Sequence, residues 1–229
     1  MKQFLSHVEI PALIAVPIVL VLCAVCHVTQ TALLTLLVAV AGVVLFFAHY
    51  ETSRPGLRQI MPAVVLGALA AAGRLLFAAF PHVKPVSAIA IVAGAVFGRR
   101  CGFMVGALAA LVSNFFLGQG PWTPWQMYAW GMVGYFAGVF ANKGLFDRRA
   151  FMYVYGFLSA LLYGLLLNIW HVVGFMPVST FPAVILAFGA ALPFDITHGV
   201  ATVIFLLIIY TPWQKKLGRI KAKYGLLSE

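Results

Sequence analysis

Long apolar runs, separated by short polar segments, constrain the fold of this chain more than any other feature of its sequence. A helix needs about 20 apolar residues to cross a bilayer. Eight candidate runs can be placed between the turn-forming segments: they cover about residues 10–28, 31–50, 59–80, 86–98, 102–118, 125–142, 151–174 and 182–210. The sequence therefore predicts an all-α polytopic membrane protein with about eight transmembrane helices.

The composition supports this prediction. Of the 229 residues, 63% are hydrophobic and 9% are charged, whereas a soluble domain averages about 45–50% apolar and about 25% charged residues. This balance excludes a soluble enzyme, a nucleic-acid-binding domain and a disordered regulator. The net charge of +10 is therefore interpreted as a topology signal rather than as a nucleic-acid surface.

Three runs have features of their own. The run 86–98 is short, which predicts tilting, cover by neighbouring helices or extension into its flanks. The run 182–210 is long and contains Pro193, which predicts a kink or a break. The first run, 10–28, lacks a strong basic segment before it and is followed at once by another run, so we interpret it as a retained span rather than a signal peptide.

The distribution of positive charge predicts the orientation. With the N-terminus placed inside, every Lys and Arg except Arg74 and Lys84 falls in a cytoplasmic segment. Cytoplasmic loops carry an excess of these residues. The sequence therefore predicts an even number of spans, with both termini in the cytoplasm.

Three segments on the predicted outer side share an unusual composition. Residues 81–85, 118–125 and 174–182 are short, punctuated by proline and rich in aromatic residues together with their immediate flanks. Tight turns with an interfacial tryptophan belt would explain each of them. Because three such segments lie on one side, we favour lids over a pocket that opens outward.

Polar residues within the runs mark a candidate cavity, since ionisable groups in a bilayer are costly and usually functional. They are Arg74, Asn114, Gln126, Asn168, His171, Asp195 and His198. Most of them fall in the outer half of the predicted bilayer, as expected for a site loaded from outside. Interhelical hydrogen bonds, worth about 1–2 kcal/mol each, are an equally good explanation for any single residue.

Asp195 is the deepest of these groups by residue count, which favours a structural or gating role. His198, one helical turn further along, shares its helix face and is predicted to have the same structural or gating role. Two pairings can neutralise the carboxylate, one with Arg74 and one with His198.

Small residues recur at helical spacing in the run 59–80. Ala63, Gly67 and Ala71 form one row, and Ala68 and Ala72 form a parallel row. Such rows allow close helix–helix contact. Internal packing and a smooth face for a sliding partner both fit the spacing.

Several enzymatic signatures are missing from the sequence. It contains no Walker A motif, no H-E-x-x-H and no G-x-S-x-G, so ATP hydrolysis and the commoner hydrolase chemistries are not expected. Cys23 and Cys26 lie in an apolar run without a second pair, which favours two buried thiols over a metal site. The sequence thus predicts no catalytic residues and no metal; an intramembrane enzyme using His171, His198 or Asp195 is the minority interpretation.

A family resemblance rests on a series of short stretches. They are Gly73-Arg74 with Phe77, Pro81 and Pro85, the IVAGAVFG run that ends at Gly98, Gly102-Phe103, Gly106-Ala107, Asn114-Phe115-Phe116, the segment GQGPWTPWQMYAWG from Gly118 to Gly131, and FDITH from Phe194 to His198. With them the chain resembles the substrate-binding S component of energy-coupling factor (ECF) vitamin transporters. The resemblance implies a six-helix core over about residues 59–214. The predicted domains are then a two-helix hairpin, 1–50, and a substrate-binding core with a basic cytoplasmic tail, 51–229.

The resemblance also implies a mode of action in the bacterial cell membrane. An S component captures a vitamin under loops that correspond here to 81–85, 118–125 and 174–182. It docks through small-residue rows, here Ala63, Gly67, Ala68, Ala71 and Ala72, on a membrane-coupling subunit that carries two ATPases. It then topples to deliver the vitamin inward. ATP is used by those partners, and no cofactor is expected in this chain.

The substrate is predicted from the tryptophan-rich segment, which resembles cobalamin-type S components and favours cobalamin or a related corrinoid. Arg74 or Lys84 would instead suit another vitamin, such as pantothenate, folate, riboflavin or a precursor; a stand-alone secondary carrier is a further alternative. The candidate substrate-binding residues are Arg74, Lys84, Asn114, Gln119, Trp122, Trp125, Gln126, Trp130, Asn168 and His171.

Overall fold

The structure is a computed structural model that describes residues 57–175 and 181–226, together with scattered helical positions between 14 and 44. Apart from those positions, the first two predicted runs and the hairpin 1–50 lie outside the described residues. The eight-helix count and the cytoplasmic placement of both termini therefore stay predictions.

Six α-helices make up the described part of the chain. They are α1 (Leu57–Leu76), α2 (Val86–Phe97), α3 (Arg99–Leu117), α4 (Trp122–Asn142), α5 (Arg149–Phe175) and α6 (Phe181–Lys223), with a 3-10 turn at Leu145–Asp147. They coincide with the third to eighth predicted runs. Four of them, α1, α3, α5 and α6, are long and apolar enough to cross a membrane. The chain is a multi-pass membrane protein.

Helix α2 lies at the centre of the bundle, where it contacts α1, α3, α4, α5 and α6. Its 12 residues are all buried except Ala95. At 1.5 Å per residue it spans about 18 Å of a hydrocarbon core about 30 Å thick. A helix that is apolar on every side is stable when other helices cover it. Cover by neighbours, one of the three predicted explanations, therefore accounts for its shortness.

Glycines bring α2, α3 and α4 into backbone contact. A Cβ added at Gly94 or Gly102 would overlap with the Gly134 carbonyl, and one added at Gly106 would overlap with the Trp130 carbonyl. Gly98, with a φ of 96°, lets α3 begin directly after α2. This close seam fixes the relative positions of α2, α3 and α4.

Two boundaries differ from prediction at helix ends that the sequence predicts to lie outside. Helix α1 ends at Leu76 rather than at residue 80, because the chain turns through hydrogen bonds such as Phe80 N–H to the Phe77 carbonyl (3.1 Å). Helix α4 begins at Trp122, so its preceding loop is confined to residues 118–121. Trp122 and Trp125, predicted as loop residues, are helical. Residues 176–180 of the third predicted loop lie outside the described residues.

Helix α6 is longer and more continuous than predicted. It contains Pro193 without a break and continues to Lys223, so the predicted basic tail is helical. Its 43 residues correspond to about 64 Å, twice the hydrocarbon thickness. The extension is held by Leu217, which packs against the core, and by Lys221, whose ammonium donates to the Val96 carbonyl (2.7 Å).

Candidate substrate cavity

Arg74 is the central polar residue of the candidate site. It lies in the last turn of α1, and its guanidinium donates hydrogen bonds to Ser113 Oγ (2.6 Å), Asn114 Oδ1 (2.6 Å) and Gln126 Oε1 (3.4 Å). All three acceptors are neutral. Because none of them carries a negative charge, this arrangement orients the cation without neutralising it.

The acceptors belong to a network between the end of α3 and the start of α4. Asn114 uses its amide nitrogen to donate to Gln126 Oε1 (2.8 Å) and to Thr123 Oγ1 (2.9 Å). Thr123 in turn donates to Gln119 Oε1 (2.8 Å), whose amide donates to the Leu111 carbonyl (3.2 Å). Asn114 and Thr123 are buried, Gln126 is partly buried and Gln119 is exposed. Because each of these side chains has a partner, residues of two other helices hold the orientation of Arg74.

The rings of Trp130 and Tyr163 form an aromatic wall beside the guanidinium of Arg74. The Arg74 guanidinium carbon lies 4.9 Å from the centre of the Trp130 ring, within the range of a cation–π interaction. Tyr163 stacks on Trp130 with ring centres 4.6 Å apart, and His198 meets Tyr163 edge to face at 5.2 Å. A planar ring can stack on such a surface.

The loop between α1 and α2 covers one side of this wall. Lys84 donates from its ammonium to the carbonyls of Phe77 and Phe80, in the turn that directly follows α1. His82 has a φ of 59°, in the left-handed region that non-glycine residues seldom adopt, and its ring lies 4.9 Å from that of Phe194 on α6. The loop is thus tied to α1 by Lys84 and contacts α6 through His82.

These elements line a half-open cavity of about 270 Å³. Its lining comprises Arg74, His82, Lys84, Gln126, Trp130, Tyr163, Leu167 and His198. Two other grooves, of about 300 and 310 Å³, lie between helices and have almost entirely apolar linings. In a membrane protein such grooves suit acyl chains, whereas a polar solute needs directional hydrogen-bonding groups. We therefore assign the candidate site to the Arg74 cavity.

The predicted site residues divide into three groups. Arg74, Lys84, Gln126 and Trp130 line the cavity, and so does His198, which was predicted as structural. Asn114 and Gln119 support it through the network. Four others lie elsewhere: Trp122 and His171 are exposed, Trp125 is fully buried against Trp170, and Asn168 donates to Asp195.

Asp195 has a different partner from the two that were considered. Asn168 Nδ2 donates to Asp195 Oδ2 (3.2 Å), and the carboxylate also lies against Gly164 of α5. His198 Nε2 is hydrogen-bonded to Ser87 Oγ (3.0 Å) instead. These contacts join α5 to α6 and α6 to α2. The structural or gating role of both residues stays a prediction.

Sequence reasoning missed several residues of the site: His82, Ser87, Ser113, Thr123, Tyr163 and Leu167. Tyr163 could have been found, since it is a polar-tipped residue in the same outer half-span as Asn168. The serine and threonine residues could not be recognised from the sequence, because their hydroxyl groups in a helix usually donate hydrogen bonds to backbone carbonyls of the same helix.

Comparison with known proteins identifies the family. The family model for the S component of ECF-type riboflavin transporters matches residues 60–218, a segment that includes nearly all of the six helices. The chain belongs to the ECF-type S-component family. An S component is a transport-binding subunit rather than an enzyme, which agrees with the missing catalytic motifs.

More distant relatives add little about specificity. The chain is 32% identical to UPF0397 proteins of Aliivibrio fischeri strains MJ11 and ATCC 700601 / ES114 over 76 residues, which is 30% of this chain and 41% of each relative. The match thus spans about two fifths of the length of these curated relatives. No solved structure matches the chain.

The two rows of small residues on α1 differ in burial. Ala63, Gly67 and Ala71 are buried, with Gly67 directed at Leu108 of α3. Ala68 and Ala72 are exposed. Internal packing therefore occupies the first row, whereas the residues of the second row are exposed.

His82, in the loop between α1 and α2, is expected to make the stability of the S component depend on pH. Burial lowers the pKa of His82 from its ordinary value of about 6.5; Asp195 opposes the shift and Lys84 adds to it. The folded protein thus binds this proton less tightly than the unfolded chain. The stability that His82 contributes is complete above about pH 6.5 and is lost as the pH falls through the lowered pKa.

The matched variant is His82→Asn, since asparagine tolerates the left-handed backbone. We expect the melting temperature of the wild type to fall more between about pH 7.5 and about pH 5 than that of the variant, because only the wild type protonates at this position. Equal falls in both proteins would show that His82 does not contribute.

Proposed function

We propose that this S component captures a small vitamin that has a flat ring system and an edge rich in hydrogen-bond acceptors, with riboflavin as the first candidate. The observation that carries the proposal is Arg74, a cation held by three neutral acceptors beside the stacked rings of Trp130 and Tyr163. A flat ring would stack on the aromatic wall, and its acceptor edge would face the guanidinium. The name of the matching family model supports riboflavin.

The dimensions of the cavity favour a small vitamin over a corrinoid. At about 270 Å³ it lies near the lower limit of the about 300–1,000 Å³ that ligand pockets occupy. A corrinoid, with its macrocycle and nucleotide arm, is several times larger. The tryptophan argument for cobalamin also weakens, because Trp125 is sealed in the core and Trp122 is exposed away from the cavity lining.

A vitamin panel tests the proposal. The purified protein in detergent is titrated calorimetrically with riboflavin, pantothenate, folate and cobalamin, without any partner protein. We expect saturable binding of riboflavin with a stoichiometry near one and no binding of cobalamin. Tight binding of pantothenate or folate would retain the class and replace the substrate, whereas tight binding of cobalamin would overturn the size argument.

In this proposal, partner proteins supply the energy for transport. We infer that it associates with an ECF membrane-coupling subunit and two ATPases, and that toppling against the coupling subunit exposes the cavity to the cytoplasm. The exposed row of Ala68 and Ala72, flanked by the exposed side chains of Val64, Val65 and Leu69, offers a smooth apolar face for that contact.

Leucine substitutions separate docking from binding. Ala68→Leu and Ala72→Leu should leave riboflavin affinity unchanged, since both positions face away from the cavity, but should strongly reduce copurification with the coupling subunit and vitamin uptake by cells. Ala71→Leu is the internal comparison, because it would disturb the packing of α1 on α3 and lower stability. Normal copurification and uptake by both exposed-row variants would place the docking face elsewhere; uptake that needs an ion gradient but no ATPase would instead indicate a secondary carrier.

A further inference from the structure

Ser87 forms an unusual junction behind the aromatic wall. It is fully buried in the first turn of α2. Trp130 Nε1 donates to Ser87 Oγ (3.2 Å), and the same oxygen lies 3.0 Å from His198 Nε2. These two contacts connect α2, α4 and α6 directly at the cavity.

Three other hydroxyl groups in the helices of the bundle behave differently. Ser113 donates to the Ala109 carbonyl (2.6 Å), Ser159 to the Gly156 carbonyl (3.0 Å) and Thr197 to the Pro193 carbonyl (2.8 Å). Each satisfies its hydrogen on the preceding turn of its own helix, as is common for such residues. Ser87 is the second residue of α2, so the positions one turn before it belong to the loop. Its only hydrogen-bond partners in the described part of the chain are Trp130 and His198.

The direction of the Ser87–His198 hydrogen bond follows when each donor is matched with an acceptor. The indole N–H of Trp130 can only donate, so Ser87 Oγ is its acceptor. The Ser87 hydrogen then needs an acceptor of its own, since an unpaired buried donor is costly. His198 Nε2 is the available acceptor, and a neutral imidazole that accepts at Nε2 carries its hydrogen on Nδ1.

We propose that Ser87 fixes His198 as the Nδ1–H tautomer and thereby makes His198 a hydrogen-bond donor to the ligand. His198 lines the cavity, and its Nδ1 has no hydrogen-bond partner among the described residues. Ser87 is then a positioning residue, and His198 is a specificity-determining one. This inference rests on the proposed function insofar as it concerns the ligand.

The Nδ1–H tautomer of His198 restricts which hydrogen-bonding groups a ligand can present to the cavity. Arg74 uses three of its five N–H donors on Ser113, Asn114 and Gln126, which leaves two for a ligand. Lys84 adds an ammonium and His198 adds Nδ1–H. These three residues present only donors, so the matching ligand edge carries carbonyl oxygens, unprotonated ring nitrogens or a carboxylate. A vitamin whose recognised group is a cation or an amine does not fit.

Nuclear magnetic resonance of the histidine side chains tests the tautomer without any ligand. The full chain is labelled with ¹⁵N and ¹³C in its six histidines, and His198 is assigned from the signals that change in the variants His198→Asn and Ser87→Ala. We expect Nδ1–H in the wild type and a shift toward Nε2–H, the form that free histidine prefers, in Ser87→Ala. Nε2–H in the wild type, or an unchanged tautomer in Ser87→Ala, would overturn the proposal.

Binding supplies the second readout. Ser87→Ala should weaken riboflavin binding about 3- to 10-fold, the loss expected for one hydrogen bond. Ser159→Ala, which removes a buried hydroxyl outside the cavity lining, should leave the affinity unchanged. Unchanged affinity in Ser87→Ala despite an altered tautomer would exclude His198 as a ligand donor. Failure of riboflavin to bind the wild type would count against the proposed substrate, and the spectrum alone would then decide the tautomer.

Discussion

Replacing Arg74 by methionine is expected to weaken vitamin binding at least about 100-fold. Hydrogen bonds to a charged group contribute about 1.5–3 kcal/mol each, and the ligand loses the main cation of the cavity. The substitution also leaves Ser113, Asn114 and Gln126 without their shared donor. Calorimetric titration of the variant with riboflavin, beside the wild type, measures the effect.

Two variants control this experiment. Arg58→Met makes the same change at an exposed position near the start of the same helix and should bind normally. Arg74→Lys retains the charge but cannot reproduce the geometry of a guanidinium, so its affinity should be intermediate. Wild-type affinity in a well-folded Arg74→Met protein would remove the Arg74 cavity from the binding site.

Gly134→Ala is the substitution with the largest expected effect on stability. A Cβ at this position would overlap with the backbone of Gly102, which cannot move aside as a flexible side chain could. Helices α3 and α4 would have to separate, and because overpacking typically costs about 1–3 kcal/mol, we expect a cost at the upper end of this range. In a chain of this size we expect the melting temperature in detergent to fall by about 10 °C.

Gly189→Ala is the matched control. Gly189 lies on α6 with open space around the position of a Cβ, and alanine favours a helix by about 0.5–1 kcal/mol over glycine. The control should therefore be neutral or slightly stabilising. If Gly134→Ala melted at the wild-type temperature, the close contact of α3 with α4 would be refuted.

The apolar runs predicted the six described helices because hydrophobicity is the strongest signal a membrane helix has. The same signal failed at the ends of helices. It placed the end of the last run at residue 210, yet α6 continues to Lys223. A hydropathy pattern ends where charges begin, whereas the helix continues because Trp213 and Leu217 still pack against the bundle.

The candidate site was predictable where function requires a charge or an amide in an apolar run. Arg74, Asn114 and Gln126 were found in this way and form one network. The roles of the tryptophans were harder to predict, because α4 begins at Trp122 rather than at residue 125. Gln126 and Trp130 are four residues apart and share the face that lines the cavity, while Trp125 points into the core.

Ser87 could not have been predicted from the sequence. A serine near the start of an apolar helix is unremarkable, and its importance comes from Trp130 and His198, which lie 43 and 111 residues away along the chain. Only the packing of α4 and α6 around α2 reveals that its hydroxyl has no helical carbonyl to bind.

An experimental structure of the protein with riboflavin bound would test the central claim most directly. The account predicts a single ligand in the Arg74 cavity, with its ring against Trp130 and Tyr163 and its acceptor edge within hydrogen-bond distance of the guanidinium. Riboflavin bound instead in the apolar groove between α4 and α5, with the Arg74 cavity empty, would contradict it.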